Sequence, residues 1–202
     1  MRRACKQSAA RTPFENSGRA TQPEIQAVTR HQGRKVCLPP YSYVPGRFPH
    51  PHSDPRGHSH GVTRERPQAV DARDWQTARA YLRGVDLFNH GFYWEAHEAW
   101  EELWLACGRH GPAATFLKAL IKLAAAGVKV REEKSEGVRS HARRALALLD
   151  QLGSTQQYMG IDVGELIRFA RALAECPPPL LAVREATDPV FDFVLRPTEG
   201  RT

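Results

Sequence analysis

Apolar residues recurring every three or four positions, punctuated by Gly and Pro, constrain this chain more than any other feature. Over residues 72–90 they place Trp75, Ala78, Leu82, Val85 and Phe88 on one side of a helix, with Asn89-His90-Gly91 as its stop. The same reasoning predicts four further helices. They run over 93–107 ending at Gly108, 112–134 opening on Pro112, 138–152 ending at Gly153, and 163–175 capped by Asp162. Pro177-Pro178-Pro179 then breaks the pattern. Strand alternation is absent from this region, apart from a run over 189–195 too brief to assign. Helices joined by short connections pack antiparallel, so the expected fold is all-α, a compact bundle of about five helices over 71–176. An extended C-terminal segment, 177–202, follows it.

Residues 1–70 are different in kind. They are rich in Pro, Arg, His, Ser and Gly, with no sustained apolar period, and read as a disordered N-terminal tail that adds nothing to stability. They hold 12 Lys+Arg against 4 Asp+Glu, so the excess behind the net charge of +7 lies entirely in the tail. The bundle itself is nearly neutral, which argues against a nucleic-acid surface there. His50, His52, His58 and His60 cluster in the tail; such a tract binds Zn²⁺, Ni²⁺ or Cu²⁺ weakly, or is simply a low-complexity linker. Cys5, Cys37, Cys107 and Cys176 are scattered, a pattern expected of a reduced, cytoplasmic protein. No run of apolar residues is long enough for a membrane span, and no apolar stretch follows Arg2, Arg3 and Lys6, so no secretory signal is expected.

The second predicted helix carries the unusual chemistry. Residues 93–107 put Trp94, His97, Glu98, Glu101, Trp104 and Leu105 on one arc, beside a core arc of Ala96, Ala99, Trp100 and Leu103. Glu95 and Glu102 fall together on the remaining side. An imidazole and two carboxylates bracketed by indoles admit three readings. His97, Glu98 and Glu101 are metal ligands or an acid–base set, as in a metal-dependent hydrolase, with His90, His110 and His141 as further ligands. Alternatively the acids form a structural buried charge network with Lys118, Lys122 and Lys129, which share one narrow arc of the third helix. In the third reading the arc lines a groove for a small ligand or protein partner. Glu95, His97, Glu98, Glu101, Trp94 and Trp104 would then face the three lysines, which could equally hold an anion. Neither a phosphate-binding glycine loop nor a nucleophilic Ser elbow is present. The basic run around Ser140 and Arg143-Arg144 reads as a solvated helix face.

The run Phe88-Asn89-x-Gly91-x-Tyr93-Trp94-Glu95-Ala96-His97-Glu98-x-x-Glu101-x-x-Trp104 is followed by Phe116-Leu117-Lys118-Ala119-Leu120-Ile121-Lys122. Together they resemble a prokaryotic family catalogued as domain of unknown function 309, over about residues 76–152. The resemblance implies a small all-helical bundle. It makes Glu95, His97, Glu98, Glu101 and Trp104 the hallmark residues, with Lys122 standing where the family more often has glutamine. It implies no reaction and no cofactor.

Overall fold

The computed structural model describes residues 28–31, 34–63, 65–178 and 187–198. Among the described residues there are five α-helices: α1 (Arg79–Asn89), α2 (Tyr93–Ala106), α3 (Gly111–Arg131), α4 (Ser135–Leu149) and α5 (Val163–Glu175). Each packs on its sequence neighbour, as short connections require. Two small antiparallel pairs are appended: β1 (Val28–His31) with β2 (Arg34–Cys37), and β3 (Gln157–Tyr158) with β4 (Ile161–Asp162). The expected all-α bundle is therefore the fold. Its expected tail, over residues 1–27, lies outside the described residues.

The helix ends follow from backbone chemistry. Gly91 and Gly108 adopt φ of 80° and 72° behind α1 and α2, the left-handed conformation that closes a helix without a Cβ clash. The Asp162 carboxylate accepts the Glu165 N–H at 2.7 Å and caps α5. Several expected boundaries move, among them the end of the third helix, at Arg131 rather than 134, and of the fourth, at Leu149 rather than 152. The first helix begins later, at Arg79 after a single 3₁₀ turn at Trp75–Thr77. The fourth begins earlier, at Ser135, because Glu133 at φ 60° makes the turn that Ser135-Glu136-Gly137 was expected to make.

The core is built on α3, whose Phe116, Leu117, Leu120, Leu123 and Ala124 are completely buried. Trp100 of α2 is equally buried and reaches α1, where its indole N–H donates to the Tyr81 carbonyl at 3.1 Å. A Cβ on Gly84 would lie 2.2 Å from that indole nitrogen, so the α1–α2 approach requires glycine here. Gly127 of α3 does the same for the Tyr93 ring, 2.5 Å from where its Cβ would be. The C-terminal residues dock as an extended segment. Asn89 exchanges two hydrogen bonds of 2.8 Å with the Leu195 backbone, and Phe191 and Leu195 are buried.

One expectation is corrected. The tail was expected to reach residue 70, yet residues 38–60 form an irregular strap packed on α2 and the end of α3. Leu38, Ser42, Val44 and Ser59 are buried in it. Periodicity misses such a segment because irregular backbone anchors itself through single side chains rather than through a repeating face.

Candidate functional site

α2 presents its acids to two different neighbours, and the division is set by helical angle. On the strap side lie Trp94, Glu95 and Glu98. Glu95, expected on the far side of the helix with Glu102, is buried because the strap covers it. Its Oε1 accepts the Tyr43 backbone N–H at 2.9 Å and sits 3.1 Å from His58 Nε2. Both side chains of this pair are almost fully enclosed, 3% exposed for His58 and 5% for Glu95. Glu98 Oε2 is 2.9 Å from His52 Nε2 at the rim. The Trp94 indole takes the edges of Tyr43 and His50, with ring centroids 4.9 and 5.9 Å away.

The histidine tract is thereby explained without a metal. His52 and His58 pair with acids, and His50 Nδ1 accepts the N–H groups of His52 and Ser53, each at 3.3 Å. His60 Nδ1 lies 3.0 Å from the His52 carbonyl. Among the described residues no group of three or more His, Cys, Asp or Glu side chains could hold a metal ion. Candidate ligands His97, Glu98 and Glu101 are pulled apart, since Glu98 turns to the strap while His97 and Glu101 turn to α3.

The other side of α2 faces α3 and α4. His97 stacks almost parallel on Trp94, at 8° and 6.1 Å, and its Nε2 is 3.6 Å from Glu101 Oε2. Trp104 lies between two cations, with Arg109 at 5.6 Å and Lys118 Nζ at 5.3 Å from its ring centroid. The expected Glu–Lys network does not form among the described residues. Lys129 is bound at 2.8 and 2.9 Å to Glu132, at the end of its own helix. Lys118 turns to Trp104, and Glu98 is taken by His52. The arc of a lysine fixes its direction, but a nearer acid or a flat indole competes for its head group.

This leaves a concentration of positive charge on the α2–α3–α4 face. Burial lowers the pKa of Lys122, and Arg144 and Lys118 lower it further, with Glu101 as the opposing charge. Burial pushes the His97 imidazole down as well; Lys122 adds to this, while Glu101 and Glu98 oppose it. His141 of α4 is held down to about 4 by burial, then by Lys122, Arg144, Lys129 and His97. Its Nδ1 and the Trp104 Nε1 are buried without a hydrogen-bond partner among the described residues.

His141, a candidate ligand from the sequence, lies here, and so does Arg144, which the sequence placed on a solvated helix face. His141 stands three residues after Val138 and four before Ala145, both fully buried, so it flanks the inward stripe of α4.

A family model, Domain of unknown function (DUF309), matches residues 81–141, the segment that carries Trp94, Glu95, His97 and Glu98. The DUF309 segment runs from the first turn of α1 into α4 and contains Trp94, Glu95, His97, Glu98, Glu101, Lys122 and His141. The strap lies wholly outside it. No curated protein matches the chain. Among the described residues no helix is long and apolar enough to cross a membrane.

Proposed function

We propose that the bundle is a binding module for a small anion of the carboxylate or phosphate class, received on the α2–α3–α4 face. Lys122, His141 and Arg144 would bind it, with His97 and Lys118 at its edges and Glu101 setting the orientation. One observation carries this reading: three helices bring Lys118, Lys122, Lys129, Arg144 and two imidazoles within electrostatic range of one another. Glu101 is the main acid opposing them. Mutual repulsion of this kind is relieved by an anion, and the His141 ring offers a buried nitrogen without a partner. Among the sequence-predicted residues, Lys118 rests on the Trp104 ring and would flank the anion with it; Lys129, tied to Glu132, contributes charge at longer range. The unpaired thiols of Cys37, Cys107 and Cys176 support a reducing, cytoplasmic setting.

The test is a titration of the full chain with inorganic phosphate and, separately, succinate at low ionic strength. Thermal midpoint and the His97 and His141 ring resonances are followed together. A specific anion raises the midpoint as binding to the folded state must, moves the His141 resonance, and loses both effects in Lys122→Met. Equal responses to chloride, or responses unchanged in Lys122→Met, overturn the reading.

A further inference from the structure

The strap and the acids it covers come from different parts of the chain. Trp94, Glu95 and Glu98 belong to the DUF309 segment, while Tyr43, His50, His52 and His58 lie outside it. Glu95 is a carboxylate buried in a bundle helix, and both hydrogen bonds it receives come from the strap. Its second oxygen, Oε2, is buried without a partner among the described residues. The buried Arg131 of α3 adds an electrostatic attraction to Glu95, but both hydrogen-bond donors it has among the described residues come from the irregular segment, which marks the acid as a receptor for that segment. The strap's fastenings are discrete: the Tyr43 N–H and His58 on Glu95, His52 on Glu98, two ring edges on Trp94, and Arg47 on Glu133 at 3.0 Å. It is joined to the bundle by a stretch in which Gly61, Val62, Thr63, Glu65, Arg66, Gln68 and Ala69 are exposed. Residues 41–58 would lift between that stretch and Leu38, which is buried in the core beside the Cys37 carbonyl that Arg83 of α1 holds at 3.4 Å.

We propose that the Trp94–Glu95–Glu98 face is a peptide-recognition site and that residues 41–58 are its intramolecular occupant, displaced by a partner segment of the same chemistry. The partner is a proline-interrupted peptide that folds back through turns, as the strap does. An aromatic residue supplies a backbone N–H to Glu95 and a ring edge to Trp94, and a histidine some fifteen residues later closes on Glu95, as Tyr43 and His58 do.

Two measurements on the full chain decide it. In hydrogen exchange, the Tyr43 amide and its strap neighbours exchange through an opening that leaves α2 and α3 protected. A fluorescent peptide of residues 38–60 binds the His58→Ala chain, whose strap is loosened. It binds wild type at least about tenfold more weakly, because the resident strap lowers the competent fraction. Strap amides that exchange only with global unfolding overturn the proposal, and this readout needs no variant. Local opening without peptide binding to His58→Ala also overturns it, leaving a mobile loop over a closed core.

Discussion

His58 Nε2 lies 3.1 Å from Glu95 Oε1, joining a histidine from an irregular Pro/His-rich segment to the most enclosed acid of α2. Thirty-seven residues separate them in the chain. The contact turns a stretch that composition assigns to solvent into part of the folded molecule.

Deleting residues 1–62 is therefore expected to destabilise the bundle. The deletion strips Glu95 of its donors and uncovers Trp94. Breaking a buried pair costs about 3–5 kcal/mol, and hydration of the exposed carboxylate returns part of that. The expected fall in thermal midpoint is on the order of 10 °C for a domain of this size. An unchanged midpoint in calorimetry would show that the strap contributes nothing.

The other two acids of α2 behave differently. Glu98 meets a His52 side chain that is 42% exposed, and the Glu101 carboxylate is 50% exposed at 3.6 Å from His97. Ala substitution at either position is expected to cost less than about 1 kcal/mol in urea unfolding, because solvent screens both pairs. A loss of about 3 kcal/mol or more at Glu101 would require the buried lysine network that the geometry does not show.

Acid should destabilise the protein in a defined window. The folded state holds His97 below the usual 6.5 and His141 near 4, both through burial first. As pH falls, the unfolded chain takes up these protons before the folded chain does. Stability is thus complete above about 6.5 and is lost as pH descends towards 4. Urea midpoints at neutral and mildly acidic pH measure the slope, and His141→Gln should flatten it. A slope unchanged in that variant would assign the acid sensitivity elsewhere.

Gly84→Ala is expected to destabilise despite the better helix propensity of alanine, worth about 1 kcal/mol. The added Cβ meets an indole that cannot retreat, since Trp100 is buried and its N–H is bound to the Tyr81 carbonyl. The net cost should be about 1–3 kcal/mol in chemical unfolding, the range for an overfilled core. A stabilised variant would mean that α1 can shift away from α2.

The bundle was legible because burial repeats along its helices: Val85 and Phe88, Trp100 and Leu103, Leu120 and Ala124 follow the three- and four-residue spacing. The strap was not, because Tyr43 finds Glu95 across 52 residues through one backbone N–H and no period announces it. The site lay between these extremes. Helical angles put Trp94, His97, Glu98, Glu101, Trp104 and Leu105 on one arc, yet an angle specifies a direction and not the neighbour standing there. Lys129 met Glu132 and Glu98 met His52 before the two could meet each other. His141 was visible only as a lone imidazole until α4 was placed against α3.

Trp94 is a party wall between the two faces of α2. One side of its indole lies flat on His97, and Tyr43 and His50 press their edges against it from the strap. Whatever moves this ring from one side is felt on the other, and such a linkage has no preferred direction. If an occupant beside His97 changes the strap's closing equilibrium by some factor, closing the strap changes that occupant's affinity by the same factor. Through a single side chain of the DUF309 segment, a region outside that segment would then have a thermodynamic hold on binding within it.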